Sequence, residues 1–426
     1  MNAADVLEAI GLPKRLPDLR YLRDLFDAFN RVVPFETASK IVRNADVASP
    51  AEKPRLPDVF WAEHVDFGTG GTCFARVAAF AALTEAVGFR PAKILGGITG
   101  PRNHASLLYA LDGRTWLADP GYPLPDLIPL ETAAFETGVG SLEFEASARS
   151  AALRFVSGPE YGRVIDFSLD PASEDEFRGA WEKTFSKSSL FLKEVVLRKP
   201  DGHRILRFFR GSVDLTDAHS RARIPLASDR AGKLSGIFGV DAPLLARAFA
   251  ITGDAGPDRA TARIEAYGEA AGAEAAFKAL STPEGYRRFL AGLGETEVER
   301  RDGDRWRATV RAENGETIVE DVERVPGEDL IRVRRSGGLA DTGFALDRSG
   351  AAPRLVRFAD LPDAREEFLR NDMGRGRIAG ILAMDLLAAA RLQPAVIASE
   401  AKRSPDDLEI PRSLESPRSG DRRARD

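Results

Sequence analysis

The dipeptide Asp112-Gly113 lies between two apolar runs, His104 to Leu111 and Arg114 to Asp119, and it constrains the fold more than any other feature of the chain. Asp-Gly between strand-like runs specifies a two-residue hairpin, because both turn positions need positive φ. The turn sets the register: Leu111 faces Arg114, Tyr109 faces Trp116 and Ser106 faces Asp119. His104 and Asp119 then share one face of the hairpin as diagonal neighbours within reach of each other. Whatever encloses this hairpin has to accommodate that pair.

The remaining chain reads as several units, since 426 residues exceed one ordinary core. Residues 1–92 predict a helical bundle, in which Leu19, Leu22, Leu25, Phe26, Phe29 and Val33 recur at helical spacing until Pro34 stops them. Residues 93–170, with short Ile, Leu, Val and Phe runs between turn formers, predict a β-barrel. Residues 171–252 predict an α/β lid: a helix from Glu174, strands around 189–197 and 204–209, and helices around Lys233 and Leu244. Gly253 to Asp258 has the composition of a linker. Beyond it, residues 258–398 predict a second α+β domain of one strand, two helices, about six strands and a long helix from Asp363 to Leu392. Residues 399–426, polar and aperiodic, predict a disordered tail. The fold class is α+β and multidomain, and residues 1–252 are expected to fold and melt apart from the rest.

A net charge of −5 offers no general attraction to nucleic acid or anionic membranes. The stretch Met1 to Lys14 carries Asp5 and Glu8 and reads as an amphipathic helix rather than a signal peptide. The longest apolar stretch, Ile378 to Ala390, is interrupted by Asp385 and falls short of the roughly 20 residues of a membrane span. A lone cysteine cannot form an internal disulfide, so a reducing, cytoplasmic location is expected. His64, His203 and His219 share no ligand spacing and read as surface or core residues, and no metal site is expected. Gly96 to Gly100 is followed by Pro101 and a strand instead of a helix, which makes it a turn rather than a phosphate loop. The charged run Glu299 to Arg305 centres on Asp-Gly-Asp and reads as a solvated hairpin.

Chemistry points to Cys73. It follows Gly70-Gly71-Thr72 and opens an apolar helical stretch. At a helix amino terminus, free N–H groups and the dipole favour a thiolate and can receive an oxyanion. A carboxylate, Asp119, fixing one nitrogen of His104 would leave the other for the thiol proton, so Cys73, His104 and Asp119 form a candidate catalytic triad.

Several blocks resemble the arylamine N-acetyltransferase family: Pro34-Phe35-Glu36, Gly70-Gly71-Thr72-Cys73-Phe74, Val87-Gly88-Phe89, the His104 to Asp119 separation, Ser188-Ser189-Leu190-Phe191 and Ile237-Phe238-Gly239-Val240. The resemblance covers roughly residues 1–252 and implies a cysteine-protease-like acetyltransferase fold of bundle, barrel and lid. It also implies acetyl-CoA or another acyl-CoA as co-substrate, an arylamine or related amine as acceptor, and no tightly bound cofactor. Two positions depart from the family pattern. Thr69 stands where the family has the arginine that partners the glutamate corresponding to Glu36, and Pro123 replaces a glycine after the aspartate. The triad alone also suits a hydrolase or a transglutaminase-like enzyme. A third reading is a binding protein that holds an apolar ligand in its second domain, whose element order resembles the helix-grip folds of the START and polyketide-cyclase-like superfamily. There Ile378, Ile381, Leu382 and Leu386 would line a cavity or fill a core.

Overall fold

Five helices come first because their apolar residues repeat at helical spacing and their ends are marked. They are α1 (Ala3–Ala9), α2 (Leu19–Val32), α3 (Ala38–Asp46), α4 (Pro57–Phe67) and α5 (Cys73–Ala86), with the short strand β1 (Phe35–Glu36) between α2 and α3. The Asp18 carboxylate caps α2 by accepting from the Tyr21 N–H at 2.6 Å. Leu22, Leu25, Phe26 and Phe29 face inward and pack with Phe74, Val77 and Phe80 of α5 in one core. The computed structural model describes residues 2–122, 124, 126–131, 133–202, 204–226, 228–253, 256, 261–268, 271–312, 315–336, 340–350, 352–361, 378–379, 381–386 and 389.

Eight strands follow: β2 (Ala92–Gly97), β3 (His104–Leu111), β4 (Arg114–Ala118), β5 (Ile128–Pro129), β6 (Ala133–Thr137), β7 (Gly140–Ala146), β8 (Ser150–Phe155) and β9 (Val164–Ser168). They form one antiparallel sheet in the order β5-β4-β3-β2-β9-β8-β7-β6. Asp112 and Gly113 have φ of 53° and 74°, and the register pairs Tyr109 with Trp116 and Leu111 with Arg114, as the turn predicts. Leu117 of β4 and Phe144 of β7 share a core, so the sheet bends around its own apolar face. Among the described residues no pairing joins β5 to β6, which makes this an open sheet where a barrel was expected.

The next segment differs from its expectation in two places. Residues 189–197 are not a strand: a 3-10 turn, Leu190–Leu192, precedes β10 (Leu197–Asp201). β11 (Arg204–Phe209) is followed by a hairpin that the sequence reading missed, β12 (Ser212–Thr216) and β13 (Ser220–Pro225). The signal for β12 was Arg210-Gly211, whose positive φ values of 47° and 71° make a two-residue turn that joins it to β11. Helices α6 (Glu174–Lys183), α7 (Arg230–Phe238) and α8 (Ala242–Thr252) complete this part, α6 opening with a Ser173/Glu176 capping box.

Beyond residue 261 come β14 (Ala262–Tyr267), α9 (Ala273–Leu280), α10 (Pro283–Leu290), β15 (Glu295–Asp302), β16 (Arg305–Arg311), β17 (Thr317–Arg324), β18 (Leu330–Arg335), β19 (Asp341–Asp347) and β20 (Arg354–Leu361). The run Glu299 to Arg305 is the β15–β16 hairpin. Leu382 and Leu386 are buried in the core beneath this sheet, whereas Ile381 faces solvent at 57% exposure and cannot line an internal cavity. Most of the helix expected over 363–392, and the tail expected over 399–426, lie outside the described residues; those described between 378 and 389 are helical. Among the described residues, no helix is long and apolar enough to cross a membrane.

A single twelve-stranded sheet runs β1-β10-β11-β12-β13-β14-β20-β19-β18-β17-β16-β15. The expected boundary at 253–258 is therefore bridged by the β13–β14 ladder, in which Ser220 faces Ala266 and Ala222 faces Ile264. A second contact reinforces it. Arg354, 4% exposed, lies 4.9 Å from the Tyr161 ring and 4.3 Å from the Tyr267 ring, and it donates to the Gly158 carbonyl and to Asp347. The Tyr161 hydroxyl donates to the Ala352 carbonyl at 2.7 Å. Ending the chain after Thr252 would bare the β13 edge and the apolar side chain of Ala222. We expect the full chain to unfold calorimetrically in one transition, and the shortened chain to melt lower, by about 2 °C per kcal/mol lost, and to self-associate. Two resolved transitions in the full chain, one matching the shortened form, would show instead that the ladder does not couple the halves.

Candidate active site

Cys73 is the first residue of α5, and Thr72 before it makes no side-chain cap. The amino end of the helix is thus open beside the sulfur, the condition under which the helix dipole favours a thiolate. Two glycines permit the close packing around it. A Cβ at Gly121 would come within 2.7 Å of the Ala105 carbonyl oxygen and 2.8 Å of the Cys73 Cβ, and one at Gly70 would run into the Pro34 carbonyl.

The β3–β4 hairpin delivers His104 and Asp119, which are 1% and 0% exposed. His104 Nε2 lies 2.7 Å from Asp119 Oδ2, and Asp119 Oδ1 accepts the Tyr122 N–H at 2.8 Å. Cys73 Sγ, 3.8 Å from the carbonyl oxygen of Asn103, the residue before His104, stands close enough to the imidazole to influence its charge. Burial alone would lower the His104 pKa, but the Asp119 charge and hydrogen bond, with Cys73 adding to them, push it up to about 10. The three residues singled out from the sequence therefore lie together, with protonation of His104 favoured beside the Cys73 sulfur.

Four charged residues that the sequence reading passed over also shape the site. Arg76, wholly buried one turn along α5, donates to the Pro120 carbonyl at 2.6 Å, to Asn30 Oδ1 at 2.8 Å and to the Val33 carbonyl. Burial lowers its pKa to about 9 while Asp119 and Glu36 oppose the drop. Arg55 lies 3.7 Å from the buried Glu36 carboxylate and donates to Glu63 at 2.6 Å, to the Thr69 hydroxyl at 3.2 Å and to the Gly70 carbonyl. The cationic partner of Glu36, absent at Thr69, is thus supplied by Arg55 from the α3–α4 connection. Lys40 of α3 donates to Thr184 at 2.8 Å; burial lowers its pKa to about 8, and the nearby Cys73 opposes that shift. Glu160 has its pKa lowered to about 2, because the charges of Arg198, Arg163 and Arg207 outweigh its burial.

A cavity of about 320 Å³ opens on Cys73 and His104, with Phe35, Phe191, Tyr122 and Phe209 as apolar walls. Phe191 packs edge-on against Phe35 at 5.6 Å. His64 is a core residue, its Nδ1 2.7 Å from the Thr69 carbonyl oxygen, and His219 is exposed; Pro123 and His203 lie outside the described residues. Among the described residues, no group of three metal-ligating side chains gathers.

The chain matches the model of the N-acetyltransferase family over residues 18–241, more than half of its length. Among solved structures it is similar to the arylamine N-acetyltransferase of M. tuberculosis, with a TM-score of 0.53 at 17% identity over 59% of this chain and 99% of that one. It is also similar to that of M. smegmatis, with a TM-score of 0.53 at 20% identity over 61% of this chain and 100% of that one. A third is the Mycobacterium marinum enzyme in complex with CoA, with a TM-score of 0.50 at 17% identity over 58% and 94% of the two chains. At these identities the likeness is one of fold. No curated protein matches the chain.

The electrostatics predict a pH signature. Folded His104 keeps its proton to about pH 10, against about 6.5 when unfolded. The pair therefore contributes stability that is complete below about pH 6.5 and fades as pH rises towards 10. In Asp119→Asn, burial should dominate and return His104 to neutral at pH 7. Iodoacetamide should then alkylate Cys73 on the order of 100-fold more slowly at neutral pH, recovering as pH rises through the ordinary thiol range. Equal pH–rate profiles for the two proteins would exclude an imidazolium sustained by Asp119.

Proposed function

Because this chain belongs to the N-acetyltransferase family and is an acyltransferase, we propose that it carries an acetyl or similar acyl group from an acyl-CoA thioester to an arylamine through an S-acyl intermediate on Cys73. The observation that carries the reading is the uncapped start of α5 at Cys73, facing a cavity beside the His104–Asp119 pair. In the first half reaction the Cys73 thiolate attacks the thioester carbonyl, and helix N–H groups receive the developing oxyanion. Collapse breaks the bond to the CoA sulfur, which leaves with the proton of the His104 imidazolium. In the second, the amine attacks the S-acyl carbon, neutral His104 takes the amine proton, and Cys73 departs as thiolate. Asp119 orients His104 throughout. Supporting an aromatic acceptor is the apolar wall of Phe35, Phe191 and Phe209.

The finer organisation belongs to the same reading. Residues 1–252 form the catalytic unit and residues 258–398 a helix-grip-like second unit. The latter is supported by the order β14, α9, α10, six strands and the helical residues described between 378 and 389, and by a core that takes in Leu382 and Leu386. A cytoplasmic location suits an enzyme that draws on acyl-CoA and depends on a reduced thiol.

Incubation with acetyl-CoA is expected to add the mass of one acetyl group to the intact protein, and an arylamine should discharge it. Cys73→Ala should abolish both, and His104→Ala should slow acylation by about 10²–10⁴-fold. Acylation that persists in Cys73→Ala would refute the proposal.

A further inference from the structure

One part of the Cys73 cavity wall holds more positive charge than it balances. Arg163, Arg198 and Arg207 line it, against Glu160. Glu160 accepts from Arg163 Nε at 2.7 Å and lies 4.0 Å from Arg198 Nη1. Arg207 donates to Asp214 at 2.8 Å, but Arg223 already holds that carboxylate through two bonds of 2.7 and 2.9 Å. Three guanidiniums and one carboxylate thus line this part of the wall.

Arg198 is the most buried of the three arginines that line the cavity. Its residue is 8% exposed and its buried Nε has no hydrogen-bond partner. Its guanidinium carbon sits 4.4 Å from the Tyr122 ring centroid, a contact that orients the group without neutralising it. The β1–β10 ladder pairs Arg198 with Phe35, which fixes it on the strand that walls the cavity. A buried guanidinium with an open donor is costly unless an anion completes it, and its planar fork suits a carboxylate. The cavity of about 320 Å³ that Arg198 lines is the one that opens on Cys73, so an anion held there would sit close to the sulfur.

We propose that Arg198, with Arg163 and Arg207, forms an anion subsite in the Cys73 cavity that selects a reactant bearing a carboxylate, carried either on the amine or on the acyl group. This rests on the acyl-transfer reading, which the test keeps separate. As the chain's sole cysteine, Cys73 reports the subsite directly: iodoacetate and iodoacetamide differ in charge and little in size. The iodoacetate-to-iodoacetamide rate ratio should exceed that of a free cysteine peptide by about tenfold, and Arg198→Met should bring it close to the peptide value. Arg198→Lys should retain part of the preference. If Arg198→Met does not fold, Arg163→Met, on a partly exposed loop residue, serves the same comparison.

The source of the carboxylate follows from two further arms. Acylation of Cys73 by succinyl-CoA against acetyl-CoA tests the acyl group, and discharge by 4-aminobenzoate against 4-aminobenzamide tests the amine. One arm should favour the carboxylate about tenfold, with the preference lost in Arg198→Met. A wild-type alkylation ratio equal to that of the peptide, or a variant that slows charged and neutral partners equally, would overturn the subsite. A high ratio that depends on Arg198, in a protein that no thioester acylates, would uphold the subsite and refute the acyl-transfer reading.

Discussion

The buried guanidinium of Arg76 is the interaction on which the site's geometry depends. Its three donors reach the end of α2 through Asn30 and Val33 and the turn after Asp119 through Pro120, while the residue itself stands one turn past Cys73. The nucleophile's helix, the segment leading into Phe35 and the loop carrying Asp119 are thus tied to one ion. The Phe29 ring, 4.8 Å away, covers it. Removing one acceptor from so buried a charge leaves a donor unsatisfied at a cost of about 1–3 kcal/mol, a large share of a typical net stability of about 5–15 kcal/mol.

A second buried cluster supports the loop before Cys73. Glu36 accepts from the Ser39 N–H at 2.8 Å and from the Ser39 hydroxyl, and faces Arg55. Arg55 in turn holds Thr69 and Gly70, the residues that lead into the helix. The charge pairing expected at position 69 is kept, but its cation comes from a residue 14 positions earlier. What the site requires is a guanidinium at that point in space, and the chain has more than one path to it.

The second half of the chain takes part in the frame around the cavity. Residues 158–163 present Glu160 and Arg163 to the cavity on one side and Tyr161 to Arg354 on the other. Together with the β13–β14 ladder, this contact makes the later strands a support for the cavity wall.

The residues themselves determined the local geometry. Asp112-Gly113 sets a register that carries His104 and Asp119 to 2.7 Å, and the apolar run after Thr72 starts a helix at Cys73. Both are short-range effects of φ preference and periodicity, so they are legible without the rest of the chain. Arg55, Arg76, Lys40 and Arg198 were not legible. As single cations in the sequence they look like any solvated residue, and only burial against distant backbone or carboxylate groups gives them a role. The linker composition of 253–258 likewise says nothing about pairing across it, because a β ladder is made between residues far apart in sequence, such as Ser220 and Ala266. Tertiary structure decided which charges are buried and which strands meet, since both depend on what the fold brings near from elsewhere.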